Sequence, residues 1–101
     1  MLIQQTKEGQ TLTVCPAGRL DSTTGNDFLA FVTEHFTSDT QSIVIDCREM
    51  DYISSKGLRV LLQIRKGLKD GQQMKMIHVN DTMKEMIRIT GLLEALSVCD
   101  T

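Results

Sequence analysis

Two adjacent serines, Ser54 and Ser55, are the residues whose type and position best fit a chemical role in this chain. A hydroxyl at the start of a helix accepts hydrogen bonds from free backbone N–H groups, and a serine hydroxyl can also receive a phosphoryl group. A short β-branched run ends at Cys47, and apolar residues at helical spacing follow from Lys56 onward. We therefore expect both hydroxyls at a strand-to-helix junction, where capping and phosphorylation are both open roles.

The elements that must position the serines follow from hydrophobic periodicity. Residues 42–47 predict a buried strand, and residues 56–69 predict a helix that contains Gly67 and is ended by Asp70-Gly71. Glu8-Gly9-Gln10 separates two strand-like runs and predicts an opening hairpin.

The remaining elements alternate between strand and helix. Further segments are predicted as a helix at 26–36, a strand at 74–79, a helix from the Asn80-Asp81-Thr82 cap to Thr90-Gly91, a turn at 92–96 and a strand at 97–99. This order predicts an α/β fold with a mixed sheet of about four to five strands and helices packed against one or both faces.

Composition narrows the function classes. The 101 residues fit one domain, and 41% apolar with 24% charged residues is typical of a globular chain. A formal charge of -2 without a basic cluster gives no footprint for nucleic acid. The chain shows no secretion signal and no apolar run of membrane-spanning length, so we expect a cytoplasmic protein without membrane insertion.

The sequence gives little indication of a catalytic site or a metal site. Cys15, Cys47 and Cys99 are widely spaced and odd in number, which favours reduced core thiols over disulfides. No closely spaced Cys/His pairs occur, so we expect no metal and no cofactor. Ser55, His78 and Asp46 can be combined into a triad on paper, but the chain lacks nucleophile-elbow spacing. We expect a binding protein rather than an enzyme.

Four motifs in order carry a family resemblance. Gly18-Arg19-Leu20-Asp21, Asp46 at a strand end, the segment Tyr52 to Leu58, and Ile89-Thr90-Gly91-Leu92 resemble the successive landmarks of the STAS domain. This is the fold of bacterial anti-sigma factor antagonists, also called anti-anti-sigma factors. The resemblance covers nearly the whole chain and implies a STAS-like sheet with interspersed helices over residues 1–101.

The resemblance implies a switch by reversible phosphorylation. In such antagonists the unphosphorylated protein binds an anti-sigma factor that is itself a serine kinase, and thereby frees the sigma factor. The kinase phosphorylates a serine at the helix start, and a PP2C-type phosphatase resets it. The family motif places this serine at Ser55, with Ser54 in place of the usual aspartate and Lys56 in place of a second hydroxyl residue. Ser54 is the alternative acceptor.

The resemblance also implies a partner-binding surface, formed by Asp21, Ser54, Ser55, Lys56, Gly57, Leu58 and Arg59. Asp21 has two open roles, since it either ends its strand and caps the following helix or lies on the surface that the partner contacts. A second family function stays open: a STAS subunit that binds the ATPase of a lipid-trafficking ABC transporter and needs no phosphorylation.

Overall fold

The chain opens with the predicted hairpin. The computed structural model describes residues 1–99, so the last two residues of the predicted 1–101 domain lie outside it. Strands β1 (Ile3–Glu8) and β2 (Thr11–Pro16) pair antiparallel across a turn in which Gly9 has a φ of +58°. Pro16 is the last residue of β2, where its missing N–H removes no bond from the interior of the strand.

Strands β1 and β2 belong to a mixed sheet with two further strands. Strands β4 (Ser42–Asp46) and β6 (Gln73–Ile77) extend the sheet in the order β1-β2-β4-β6, with β2, β4 and β6 parallel. In-register residues are buried along one face of the sheet, among them Leu12, Ile43 and Met74. The prediction of an α/β fold with a mixed sheet is confirmed.

A separate pair of strands positions the serines. Strand β3 (Gly18–Leu20) pairs parallel with β5 (Met50–Ile53), with Leu20 opposite Ile53. Strand β5 was not predicted, and the serine turn was expected directly after β4. Asp21 follows β3 and Ser54 follows β5, so this short ladder brings the two segments side by side.

Three helices complete the core: α1 (Gly25–His35), α2 (Ser55–Lys66) and α3 (Asp81–Ile89). The predicted helix end at Asp70-Gly71 is wrong, because α2 ends at Lys66. The N–H of Gly67 lies 3.1 Å from the Gln63 carbonyl and 3.2 Å from the Ile64 carbonyl, so the last turn tightens there. Lys69 N–H then donates to the Gln72 side chain rather than continuing the helix.

The C-terminal segment ends in turns rather than a strand. Gly91 has a φ of +76°, and its N–H bonds to the Arg88 carbonyl while Leu92 N–H bonds to the Ile87 carbonyl. These two bonds form the Schellman motif that a glycine after a helix permits, so the predicted stop is confirmed. The predicted strand at 97–99 is wrong, because only Val98 forms a bridge, to Met76.

The three cysteines differ in burial. Cys47 is buried, whereas Cys15 and Cys99 are half-buried, and all three are free thiols. Burial raises the pKa of Cys47 to about 12, which keeps it protonated and unreactive at neutral pH. None of the helices within residues 1–99 combines the length and the apolar character needed to cross a bilayer.

Candidate functional site

Ser54 caps the helix that follows it. Its backbone is extended, with φ −90° and ψ 175°, and its Oγ accepts a hydrogen bond of 3.1 Å from the N–H of Gly57. This is the geometry of an N-cap serine bonding to the third helical residue. The hydroxyl oxygen of Ser54 is thus engaged within the fold, as the capping role predicts.

Ser55 is the first residue of α2 and is exposed. Its hydroxyl makes no hydrogen bond within residues 1–99, in contrast to that of Ser54. The first turn of α2 contains no acidic residue. Arg59 is exposed four residues later, which places it beside Ser55 on the helix surface, and Lys56 is half-buried. The free hydroxyl therefore lies at the positive end of a helix dipole, with Arg59 one turn away on the same side of the helix.

The start of α2 presses directly against the end of β3. The N–H of Ser54 donates to the Leu20 carbonyl at 2.9 Å. A Cβ added at Gly57 would lie 2.4 Å from the same carbonyl oxygen and 3.1 Å from Ile53 Cγ2. Only glycine fits this contact. Leu58 is buried in the core beneath it, so Gly57 and Leu58 support the turn from inside while Ser55 and Arg59 face solvent.

Asp21 organises the turn between β3 and α1. Its Oδ1 accepts hydrogen bonds from the N–H groups of Thr23 at 2.9 Å and Thr24 at 3.2 Å. These bonds, led by the one from Thr23, lower the pKa of the Asp21 carboxyl below its usual range. Arg19 lies 3.5 Å from the other carboxylate oxygen. Asp21 therefore ends its strand and holds the turn before α1, although the N-cap of α1 is Thr24 rather than Asp21. The place of Asp21 on a partner surface stays a prediction.

Arg48 contacts both Asp46 and His78, two residues of the hypothetical triad. Its role was not predicted from the sequence. Its Nε lies 3.0 Å from Asp46 Oδ2, and its Nη2 lies 3.2 Å from His78 Nε2. Asp46 and His78 each bond to this guanidinium, whereas a Ser-His-Asp triad requires them to bond to each other. Residues 1–99 also contain no group of three or more His, Cys, Asp or Glu side chains arranged to hold a metal ion.

The fold matches those of several solved structures. An anti-sigma factor antagonist from Mycobacterium paratuberculosis superimposes with a TM-score of 0.86 at 18% identity, over 99% of this chain and 87% of that one. SpoIIAA in its unphosphorylated form, named as an anti-sigma factor antagonist, gives 0.83 at 16% identity, over 99% and 88%. A sulfate transporter family protein from Wolinella succinogenes gives 0.75 at 18% identity, over 88% and 75%.

Sequence comparison gives the family. BtrV of Bordetella bronchiseptica, named as an anti-sigma factor antagonist, is 28% identical over 91 residues, which are 89% of this chain and 78% of BtrV. The sequence profile of the STAS domain matches residues 3–101. The match spans the hairpin, the serine turn and the C-terminal helix together. The chain belongs to the STAS domain family.

Proposed function

We propose that this protein is an anti-sigma factor antagonist of the cytoplasm, switched off by phosphorylation of Ser55. Its unphosphorylated form binds an anti-sigma factor that is a serine kinase, and the sigma factor is released. The observation that carries the proposal is the contrast between the two serines. Ser54 Oγ accepts a hydrogen bond from Gly57 N–H, whereas the Ser55 side chain is exposed and makes no hydrogen bond to any of residues 1–99. The family membership and the name of BtrV support the same function.

The chemistry is a phosphoryl transfer in which this chain supplies only the acceptor. The Ser55 oxygen forms a bond to the γ-phosphorus of ATP held by the kinase, and the bond from that phosphorus to ADP breaks. The hydroxyl proton passes to a base on the kinase. A PP2C-type phosphatase reverses the modification by hydrolysis. The chain itself binds and is modified, and it catalyses no reaction.

A phosphate on Ser55 fits the fold of this chain. It brings about 1.5 to 2 negative charges to the first residue of α2, where backbone N–H groups lack helical partners. Arg59 lies one turn away on the same side of the helix, so its positive charge balances part of the phosphate's charge. We therefore expect phosphorylation to leave the fold intact.

The partner interface responds differently to the same phosphate. An interface fitted to a neutral hydroxyl must desolvate the new charge, and acidic groups on the partner repel it. Since about 1.4 kcal/mol corresponds to a tenfold change in affinity, a penalty of a few kcal/mol releases the kinase. The phosphate thus changes affinity while the fold stays the same.

The test is phosphorylation by the anti-sigma serine kinases encoded in the same genome. Each purified kinase is incubated with the protein and ATP, and intact mass is measured. We expect one phosphoryl group on the wild type and on Ser54→Ala, and none on Ser55→Ala. Circular dichroism of all three proteins serves as the folding control. A phosphoryl group that persists in Ser55→Ala and disappears in Ser54→Ala would assign the switch to Ser54 instead.

A second candidate function is that of a STAS subunit bound to the ATPase of a lipid-trafficking ABC transporter. The similar fold of a sulfate transporter family protein supports this second function. The TM-score of that protein, 0.75, is below the 0.86 and 0.83 of the two antagonists. This function needs no phosphorylation. Co-purification of the unmodified chain with a transporter ATPase, together with no phosphate from any kinase, would support it over the switch.

A further inference from the structure

Helices α1 and α2 enclose an apolar cavity at the ends that lie farthest from the serine turn. At the start of α1 the two helices are in close contact, since a Cβ added at Gly25 would lie 3.1 Å from Val60 Cγ2. Toward their last turns, a cavity of about 300 Å³ lies between them. Six apolar side chains of α1, β4, α2 and the segments that follow the two helices line it: Leu29, Val32, Phe36, Ile43, Ile64 and Leu68. We call it the inner cavity.

The inner cavity exposes apolar surface that the fold does not cover. Val32, Ile43 and Ile64 are buried, whereas Leu29 and Phe36 on its α1 side and Leu68 on its α2 side are half-buried. The cavity is also lined by Gly67, which brings no side chain to fill it. Its volume lies at the small end of the range for ligand pockets, about 300 to 1,000 Å³. The inner cavity therefore fits one small apolar group, whose transfer from water would favour binding.

A polar depression continues from the inner cavity to the surface. It has a volume of about 470 Å³ and shares Phe36 and Gly67 with the inner cavity. Lys69 and Asp70 also line it, and both are exposed. Among residues 1–99, neither of these two side chains forms a salt bridge. The polar depression therefore offers one positive and one negative group that can each pair with an opposite charge.

We propose that this cleft, the inner cavity together with the polar depression, binds a free amino acid with an apolar side chain. The apolar side chain occupies the inner cavity. The carboxylate pairs with the Lys69 ammonium and the amino group with the Asp70 carboxylate, which gives a zwitterion complementary charges on both sides. A fatty acid would use only the lysine and leave the aspartate next to its own negative charge.

The cleft lies at the opposite end of α2 from the candidate switch. Gly67 follows Ser55 by twelve residues, which corresponds to about 18 Å along the helix. A ligand in the cleft therefore does not contact Ser55, and its binding does not depend on whether Ser55 is phosphorylated. The ligand site goes beyond the proposed function and stands or fails separately from it.

Titration with L-phenylalanine, followed by NMR of the isotope-labelled protein, tests the site. We expect chemical shift changes confined to the residues that line the cleft, with a Kd of about 1 mM or lower. Glycine lacks the apolar group, and N-acetyl-L-phenylalanine amide lacks both charges. Each of these two probes should bind at least about tenfold more weakly than L-phenylalanine.

Variants of the cleft separate its apolar part from its charged part. Leu68→Ser should weaken L-phenylalanine binding by about tenfold, and Leu62→Ser is the matched control, because Leu62 is also half-buried but lies outside the cleft. Lys69→Gln and Asp70→Asn should each weaken binding by about fivefold. Lys75→Gln, an exposed lysine on β6 outside the cleft, should stay within about twofold of wild type. Circular dichroism shows whether each variant is folded.

Three results would overturn the amino acid site. The first is an absence of shift changes in the cleft at about 10 mM L-phenylalanine, and the second is equal binding of glycine. The third is equal binding of the blocked amide together with no effect of Lys69→Gln and Asp70→Asn, which would show that the cleft holds an apolar peptide segment instead. Each result is obtained on the unphosphorylated chain without a kinase, so none of them depends on the outcome at Ser55.

Discussion

The starts of α2 and α3 share one design and differ in one charge. Each helix follows a strand, and each is capped by a side-chain oxygen that accepts the N–H of the third helical residue. Ser54 Oγ does so at 3.1 Å for Gly57, and Asn80 Oδ1 at 2.8 Å for Met83. The first residue of α3 is Asp81, whereas the first residue of α2 is Ser55.

The first residue determines whether the helix start carries a negative charge in its sequence or would gain one only by modification. In α3 the Asp81 carboxylate already lies at the positive end of the helix dipole, so the helix start is stabilised without any modification. In α2 that position holds a neutral hydroxyl, and the first turn has no acid at all. An added phosphate would supply there the charge that α3 carries in its sequence. Substitutions at three positions of the two helices test this comparison: the third helical residue, the N-cap and the first helical residue.

The largest effect is expected at the third residue, where α2 has a glycine and α3 has the fully buried Met83. Gly57→Ala places a Cβ 2.4 Å from the Leu20 carbonyl oxygen, so the helix or the strand must shift. We expect a loss of about 3 kcal/mol in the free energy of unfolding, measured in urea. Gly67→Ala is the control, because its Cβ meets nothing closer than 3.5 Å. Equal stability of the two variants would show that the close approach is not required.

The caps should be equivalent in stability. Ser54→Ala and Asn80→Ala each remove an oxygen that satisfies a backbone N–H, and each should cost about 1 kcal/mol in urea unfolding. Ser38→Ala, an exposed loop serine, provides the control and should change little. A negligible cost for Ser54→Ala alone would mean that the cap of α2 contributes less than that of α3, and the shared design would fail.

Exchanging the first residues tests the charge difference directly, with the smallest effect. Ser55→Asp should stabilise the protein by about 0.3 to 1 kcal/mol, and Asp81→Ser should destabilise it by a similar amount. Both shifts should shrink in about 1 M salt, because exposed charges are screened. Thermal unfolding at neutral pH provides the measurement, with the neutral Ser55→Asn as the control. A stabilisation by Ser55→Asn equal to that by Ser55→Asp would remove charge as the cause.

The helix starts were predicted from local sequence signals. The elements that were not predicted depend on tertiary contacts. Ser54 and Asn80 are recognisable as caps because capping depends on residues three positions apart. Strands β3 and β5 are three and four residues long, too short for an alternating pattern, and each forms only because the other lies beside it. The pairing of these two strands, which positions the serine turn, was therefore not predicted, although Asp21 was expected at the end of a strand.

The features of the candidate site likewise divide into those that the sequence indicates and those that only the structure shows. Gly57 and the hydroxyl pair stand out as residue types, whereas the close approach of Gly57 to the Leu20 carbonyl is known only from the structure. The engagement of Asp21 with Thr23 and the occupation of Asp46 by Arg48 are matters of side-chain geometry. The early end of α2 also escaped prediction, because Gly67 and Gly71 are equally plausible stops until the hydrogen bonds are known.

The hydrogen bond from Ser54 N–H to the Leu20 carbonyl has a consequence for synthesis and quality control. It joins residues far apart in the sequence, so the start of α2 acquires its shape only after the intervening chain has folded. A chain in which β3 and β5 have not paired does not present Ser55 in this setting. If a kinase recognises the folded turn, as the proposed function requires, it distinguishes folded from unfolded copies of this chain.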